Sequence, residues 1–218
     1  MNVIKSLSKR LRAARQEMPD SYAHFNYIFV HIPKTAGIGI SLSLNGVWHG
    51  HCMLRQYQLM VNQRKFLEMF KFSFVRDPID RFVSTVNFIV QGGRAGIGNA
   101  DCVQLNDEYQ ISVEGIDAFV EKLDASRLPF HFIPQHRWLE RRDGQLGVDF
   151  IGRVEEIERD YAFIAHRLGL SGRKLIHRNR SSRVLLNDSK AFIRDDLSNS
   201  SIDRLRLLYD RDYRLFDY

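Results

Sequence analysis

From Tyr27 to Ile32 the chain reads as a continuous apolar stretch of aromatic and β-branched residues, the pattern of a strand covered on both faces of a sheet. Pro33 ends it. Beyond Gly37 the apolar positions resume in IGISLSLNG, which predicts a short helix stopping near Asn45-Gly46. A second unit repeats the order: Lys71 to Val75 predicts a strand, Asp77-Pro78 a helix start with proline in the first turn, and IDRFVSTVNFIV the helix. Two strand-loop-helix units predict an α/β fold, a parallel sheet flanked by helices in a single domain. Farther along, Gln91 to Cys102 is glycine-rich and predicts a loop or insertion of the kind that serves as a lid. Ser112 is placed to cap a helix over VEGIDAFVEKL, and Asp149 to Arg153 is a short strand candidate. Ile157, Tyr161, Ile164 and Leu168 form one helical stripe ending at Gly169; Arg173 to Asn187 is basic and irregular; Ile202, Leu205, Leu208 and Tyr209 mark a closing amphipathic helix.

Composition narrows the class. With 218 residues, 44% hydrophobic and 27% charged, the chain has enough apolar side chains for a sizeable core. The apolar runs fall short of the roughly 20 residues of a membrane span and the N-terminus has no signal-like apolar core, so a soluble protein is expected. Cys52 and Cys102 are too few for a disulfide framework, and reduced thiols in a cytoplasmic setting follow. The net charge of +6 favours an anionic partner without choosing among a nucleotide, an acidic glycan, a nucleic acid and an anionic membrane surface. Part of that charge is local. Residues 1–26 form a basic N-terminal segment in which Val3, Ile4, Leu7 and Leu11 approach helical spacing, an amphipathic helix that docks on the domain or touches a membrane surface as a peripheral contact.

The turn between Ile32 and the first helix carries candidate chemistry. A tight turn from a buried strand into a helix N-terminus presents several backbone N–H groups where the helix dipole is positive, which suits phosphate. Gly37 and Gly39 let the main chain come close, the Thr35 hydroxyl is a further donor, and Lys34 adds an ammonium. This is not the Walker A pattern, since the lysine precedes the glycines and no Gly-Lys pair occurs. In the second unit Arg76 ends a strand and Ser84 lies about two turns into the next helix, so a guanidinium and a hydroxyl converge on a second phosphate. Two phosphate sites on neighbouring strands imply a bisphosphorylated nucleotide.

HIPKTAG, followed some forty residues later by FVRDPIDRFVS, resembles the sulfotransferase family, in particular the carbohydrate sulfotransferases of the family 2 type, which use 3′-phosphoadenosine 5′-phosphosulfate (PAPS). The stretches IPQHRWL, VDFIGRVEEIERD and LYDRDYRLFDY are similar to that family too, so the likeness covers about residues 27–218. It implies a P-loop-like α/β domain over those residues. Lys34, Thr35, Ala36 and Gly37, with Ile38 and Gly39 after them, match the loop that holds the 5′-phosphosulfate. Arg76 and Ser84 match the arginine and serine that bind the 3′-phosphate, with Arg81 an extra contact. HRNRSSR is similar to a late loop that closes over the nucleotide, which makes Asn179, Ser181 and Arg183 binders as well. Arg153 and Glu155 match a block with a structural role. The family loop usually continues with Thr-Ser where this chain has Ile38-Gly39, so two hydroxyl donors are replaced by an isoleucine and a glycine.

Sulfuryl transfer needs an in-line acceptor hydroxyl, a base, and positive charge at the leaving phosphate, and it requires no metal in principle. Lys34 suits the last role. For the base, VWHGHCMLRQ offers His51 and His49, with His51 preferred, because histidine titrates near pH 6.5 and the family commonly has a histidine in this region. The expected partner is a carbohydrate or glycoconjugate hydroxyl; Arg137, Arg141 and Arg142 would suit an acidic glycan. Nucleic acid is not expected, because basic and aromatic residues are not interleaved for base stacking. An atypical nucleotide-dependent phosphotransferase using Asp77 and Asp80 for Mg²⁺, and a noncatalytic anion-binding relative, are the alternatives. The oligomeric state is left open by the sequence.

Overall fold

A computed structural model describes residues 18–94, 97–98, 100–177 and 191–218. The basic stretch 1–17 and the candidates Asn179, Ser181 and Arg183 lie outside them. In chain order the first elements are α1 (Asp20–His24), β1 (Tyr27–Val30), α2 (Gly37–Asn45), α3 (Leu54–Met60), α4 (Gln63–Glu68), β2 (Phe70–Val75) and α5 (Pro78–Val90). There follow β3 (Gly93–Arg94), β4 (Ile97–Gly98), α6 (Ala100–Tyr109), α7 (Ile111–Lys122), α8 (Gln135–Leu139), β5 (Phe150–Arg153), α9 (Ile157–Arg167), α10 (Asn199–Leu208) and α11 (Asp210–Phe216). Tertiary contacts gather into two compact units, Met1–Val75 with Gln135–Ile176 and Arg76–Pro134 with His177–Tyr218.

The first unit is built on a parallel sheet of order β1-β2-β5, the α/β arrangement that the two strand-helix repeats predicted. Tyr27 pairs with Phe70 and Val30 with Ser73, while Phe72 to Val75 pair with Phe150 to Arg153. All four β1 residues are buried, which explains their unbroken apolar character. Parallel order also means that β1 and β2 both end at one edge of the sheet, where ligands meet open α/β sheets. α1 belongs to this core: Tyr22 is buried against Tyr27 and Tyr57, and its hydroxyl donates to the Phe29 carbonyl at 3.1 Å. Gly46, at φ 75°, closes α2 in the left-handed conformation its Asn-Gly end predicted.

The second unit surrounds the apolar face of α5. Ile79, Phe82, Val86 and Ile89 pack with Phe119, Phe132, Leu205 and Tyr209 in one buried cluster. Asp77 caps α5 as expected: its Oδ1 accepts from the amides of Ile79 and Asp80 at 2.9 Å each, and Pro78 fills the first helical position. Two expectations are corrected here. The glycine-rich stretch contains the paired strands β3 and β4 and is already helical from Ala100, the start of α6. Cys102 is that helix's buried residue, so its face is too sparsely apolar to show as a periodic stripe. Ser112 is not a cap. α7 begins one residue before it after a left-handed Gln110 (φ 52°), and the Ser112 hydroxyl accepts from Asn106 Nδ2 at 3.1 Å.

Candidate active site

The loop from β1 to α2 holds unusual backbone. Lys34 and Ala36 both have left-handed φ angles, 68° and 59°. Each costs an L-residue roughly 1–2 kcal/mol, so the loop's shape is maintained against local preference. Two contacts maintain it. Thr35 is completely buried and its hydroxyl donates to the Ile32 carbonyl at 3.0 Å, closing the turn from within. The His31 imidazole lies directly on Gly37, where an added Cβ would come within 1.9 Å of Cδ2. Only glycine fits there. No side chain caps α2, whose N-cap is Ala36, and the first backbone bond of the helix is Ile40 N–H to the Ala36 carbonyl at 3.3 Å. The amides of Gly37, Ile38 and Gly39 thus belong to a first turn that no side chain satisfies, the setting in which an anion binds. Ile38 is half-buried and Gly39 buried.

The expected role of the Thr35 hydroxyl as an anion donor is therefore corrected, because its proton is spent on Ile32. Arg81 is corrected more sharply. It is fully buried, with its two terminal nitrogens donating to the His131 and Ile133 carbonyls at 2.9 Å each and its guanidinium over the Tyr209 ring, 5.6 Å from the centroid. It is a strut of the second unit rather than a nucleotide contact. Arg76, the first residue beyond β2, and Ser84 on α5 are half-buried; among the described residues no protein group hydrogen-bonds the Ser84 hydroxyl. The Arg153 amide donates to Asp160 at 2.7 Å. Arg141 pairs with Asp143 at 2.9 Å, whereas Arg137 and Arg142 are exposed.

The two candidate bases separate clearly. His51 Nδ1 lies 2.9 Å from the His31 carbonyl, and a carbonyl can only accept, so Nδ1 carries the hydrogen and the lone pair is on Nε2. Burial first, and the Lys34 charge after it, lower the His51 pKa, while the bond to the His31 carbonyl opposes them. Lys34 also depresses His31, so its ammonium acts on both rings. His49 faces another network. Asn45 Oδ1 accepts from the Val47 amide at 2.9 Å, which orients its Nδ2 towards Tyr27 Oη, Ser21 Oγ and His49 Nε2 at 2.8, 3.1 and 3.3 Å. The Ser21 hydroxyl accepts from Asn45 and lies 2.9 Å from His49 Nε2. His49 Nε2 is thus engaged by the Ser21 and Asn45 side chains.

Two neighbours of His51 escaped the sequence reading. His31 packs against it with ring centroids 4.2 Å apart and the ring planes tilted by 42°, and Trp48 meets it edge-on at 5.9 Å, with its own Nε1 bonded to His31 Nδ1 at 3.0 Å. The signal available was the place of His31, a polar residue inside an otherwise apolar strand end, three residues before Lys34. Among the described residues no group of three or more His, Cys, Asp or Glu side chains is arranged to hold a metal ion, and no helix is long and apolar enough to cross a membrane.

A model of the sulfotransferase family matches residues 44–218, most of the chain. The chain belongs to the sulfotransferase family. This sulfotransferase is thereby a transferase that moves sulfuryl groups. The match covers Arg76, Ser84 and both candidate histidines and begins just after the Lys34 loop. No curated protein and no solved structure matches this sulfotransferase.

Proposed function

We propose that the protein transfers a sulfuryl group from PAPS to a hydroxyl of a carbohydrate or glycoconjugate. The observation that carries the proposal is the meeting, within one unit of a sulfotransferase, of the strained Lys34 loop with an imidazole whose lone pair is assigned to Nε2. In this reading the Lys34–Gly39 loop of a P-loop-like fold takes the 5′-phosphosulfate through its first-turn amides. Arg76 and Ser84 take the 3′-phosphate. The chemistry of the loop fits an anion: its main chain is brought forward by left-handed residues, and a Cβ at Gly37 is excluded. The missing Thr-Ser hydroxyls cost little, since a neutral hydrogen bond is worth about 0.5–1.5 kcal/mol net.

PAPS supplies an activated sulfur whose bond to the phosphate oxygen breaks as the acceptor oxygen forms its own bond to sulfur. The acceptor's proton passes to His51 Nε2, and the negative charge gained by the departing phosphate is met by Lys34. The lowered pKa of His51 keeps it unprotonated, and so competent as a base, somewhat below neutral pH.

The experiment has two parts. Binding of 3′-phosphoadenosine 5′-phosphate (PAP) without Mg²⁺, abolished in folded Lys34→Ala and Arg76→Ala variants, tests the donor. Transfer of labelled sulfate from PAPS across a panel of neutral and acidic glycans tests the acceptor. Nucleotide binding that demands ATP and Mg²⁺ would replace this reading by phosphoryl transfer.

A further inference from the structure

Building on His51 as the base, we propose that His31 and Trp48 are positioning residues. The Trp48 indole N–H locks the His31 ring, and His31 in turn holds His51 in the tautomer whose Nε2 takes the acceptor's proton.

The direction of each bond follows from what each group can do. An indole only donates, so at 3.0 Å from Trp48 Nε1 the His31 Nδ1 must accept. His31 is then the Nε2–H form. Its ring has no room to turn: Gly37 lies against one edge, Phe29 stacks at 5.8 Å and 12°, and His51 sits at 4.2 Å. The main chain of the same residue receives His51 Nδ1–H at 2.9 Å. One residue therefore touches the anion loop through Gly37, the base through ring and carbonyl, and Trp48 through Nδ1.

An apolar ring would fill this buried place without the cost of desolvating an imidazole. What the imidazole adds is an acceptor for Trp48. The charged and titratable groups acting on it are His51 and Lys34, and both oppose its protonation, as burial does more strongly. A protonated His31 would present Nδ1–H to the indole N–H, donor against donor, and would break the chain of bonds.

The test uses the full-length protein and the Trp48→Phe variant, which keeps a ring at a half-exposed position and removes only the donor. Nitrogen-15 correlation spectra of the imidazoles report the tautomer whether or not turnover occurs. In the wild type His51 should be the Nδ1–H form. In Trp48→Phe that tautomer should persist, since a main-chain carbonyl holds it, but release of the His31 ring packed on His51 should bring kcat down about tenfold, a part of the ~10²–10⁴ a positioned base supplies, while PAP affinity and donor KM stay within about twofold. At His31, Asn preserves an acceptor for the indole and should retain more turnover than Leu. A wild-type His51 that is not the Nδ1–H form, an unchanged kcat in Trp48→Phe, or equal turnover for Asn and Leu would overturn the proposal. Failure of the underlying reading looks different: His51→Ala would then turn over normally, which removes the base and the catalytic role of its supports together.

Discussion

Lys34 in the first unit and Arg81 in the second are both cations placed early in a strand-loop-helix connection, yet their surroundings differ in kind. Arg81 is wholly buried and its terminal nitrogens go to two carbonyls of the 131–133 turn, with Tyr209 beneath the guanidinium. Lys34 is half-buried on a loop with two left-handed residues, ahead of a helix with no side-chain cap. A buried charge repaid by protein carbonyls holds a fold together. In the proposed function, a charge on strained backbone ahead of an uncapped helix serves the donor's phosphate.

The largest effect should come from Arg81. Arg81→Ala strands two buried carbonyls, and urea unfolding should show a loss of about 3–5 kcal/mol. If the folded fraction then binds PAP less tightly, the comparison fails. Lys34→Ala should do the reverse, lowering sulfate transfer by roughly 10²–10³-fold with the unfolding midpoint nearly unchanged. Gly37→Ala sharpens the contrast because its Cβ would displace the His31 ring: about 1–3 kcal/mol of stability and most PAP binding should go together in calorimetry.

Acid should act on the first unit through its imidazoles. The pKa values of His31 and His51 are both lowered from 6.5, chiefly by burial. Between those folded values and 6.5 the unfolded chain binds more protons, so stability is intact above about pH 6.5 and declines as pH falls. A His31→Asn variant should flatten that decline in pH-dependent unfolding. The smallest effect is expected at Ser84, where Ser84→Ala removes one hydroxyl and should weaken PAP binding by about 0.5–1.5 kcal/mol, seen as a several-fold rise in Kd.

Much of the frame was legible in the chain. The aromatic and β-branched runs of β1 and β2 are short and end at proline or at a helix start, and the Asp77-Pro78 and Asn45-Gly46 signals act within a few residues, so β1, β2, α2 and α5 appeared where expected. α6 did not show, because a helix with one buried residue has no stripe to read. For the candidate site, the loop, Arg76 and Ser84 were recognisable as a motif. The fate of each side chain was not.

The sequence by itself determined the order of strand, turn and helix, and the family, because those depend on neighbours along the chain. Only the tertiary structure decided that Thr35 closes a turn, that Arg81 serves the core, and that His49 and His51 face different partners. Those outcomes depend on partners that are remote in sequence: the His131 and Ile133 carbonyls for Arg81, Ser21 for His49, the His31 carbonyl for His51. A hydrogen bond assigns a donor and an acceptor only when folding brings both ends within reach.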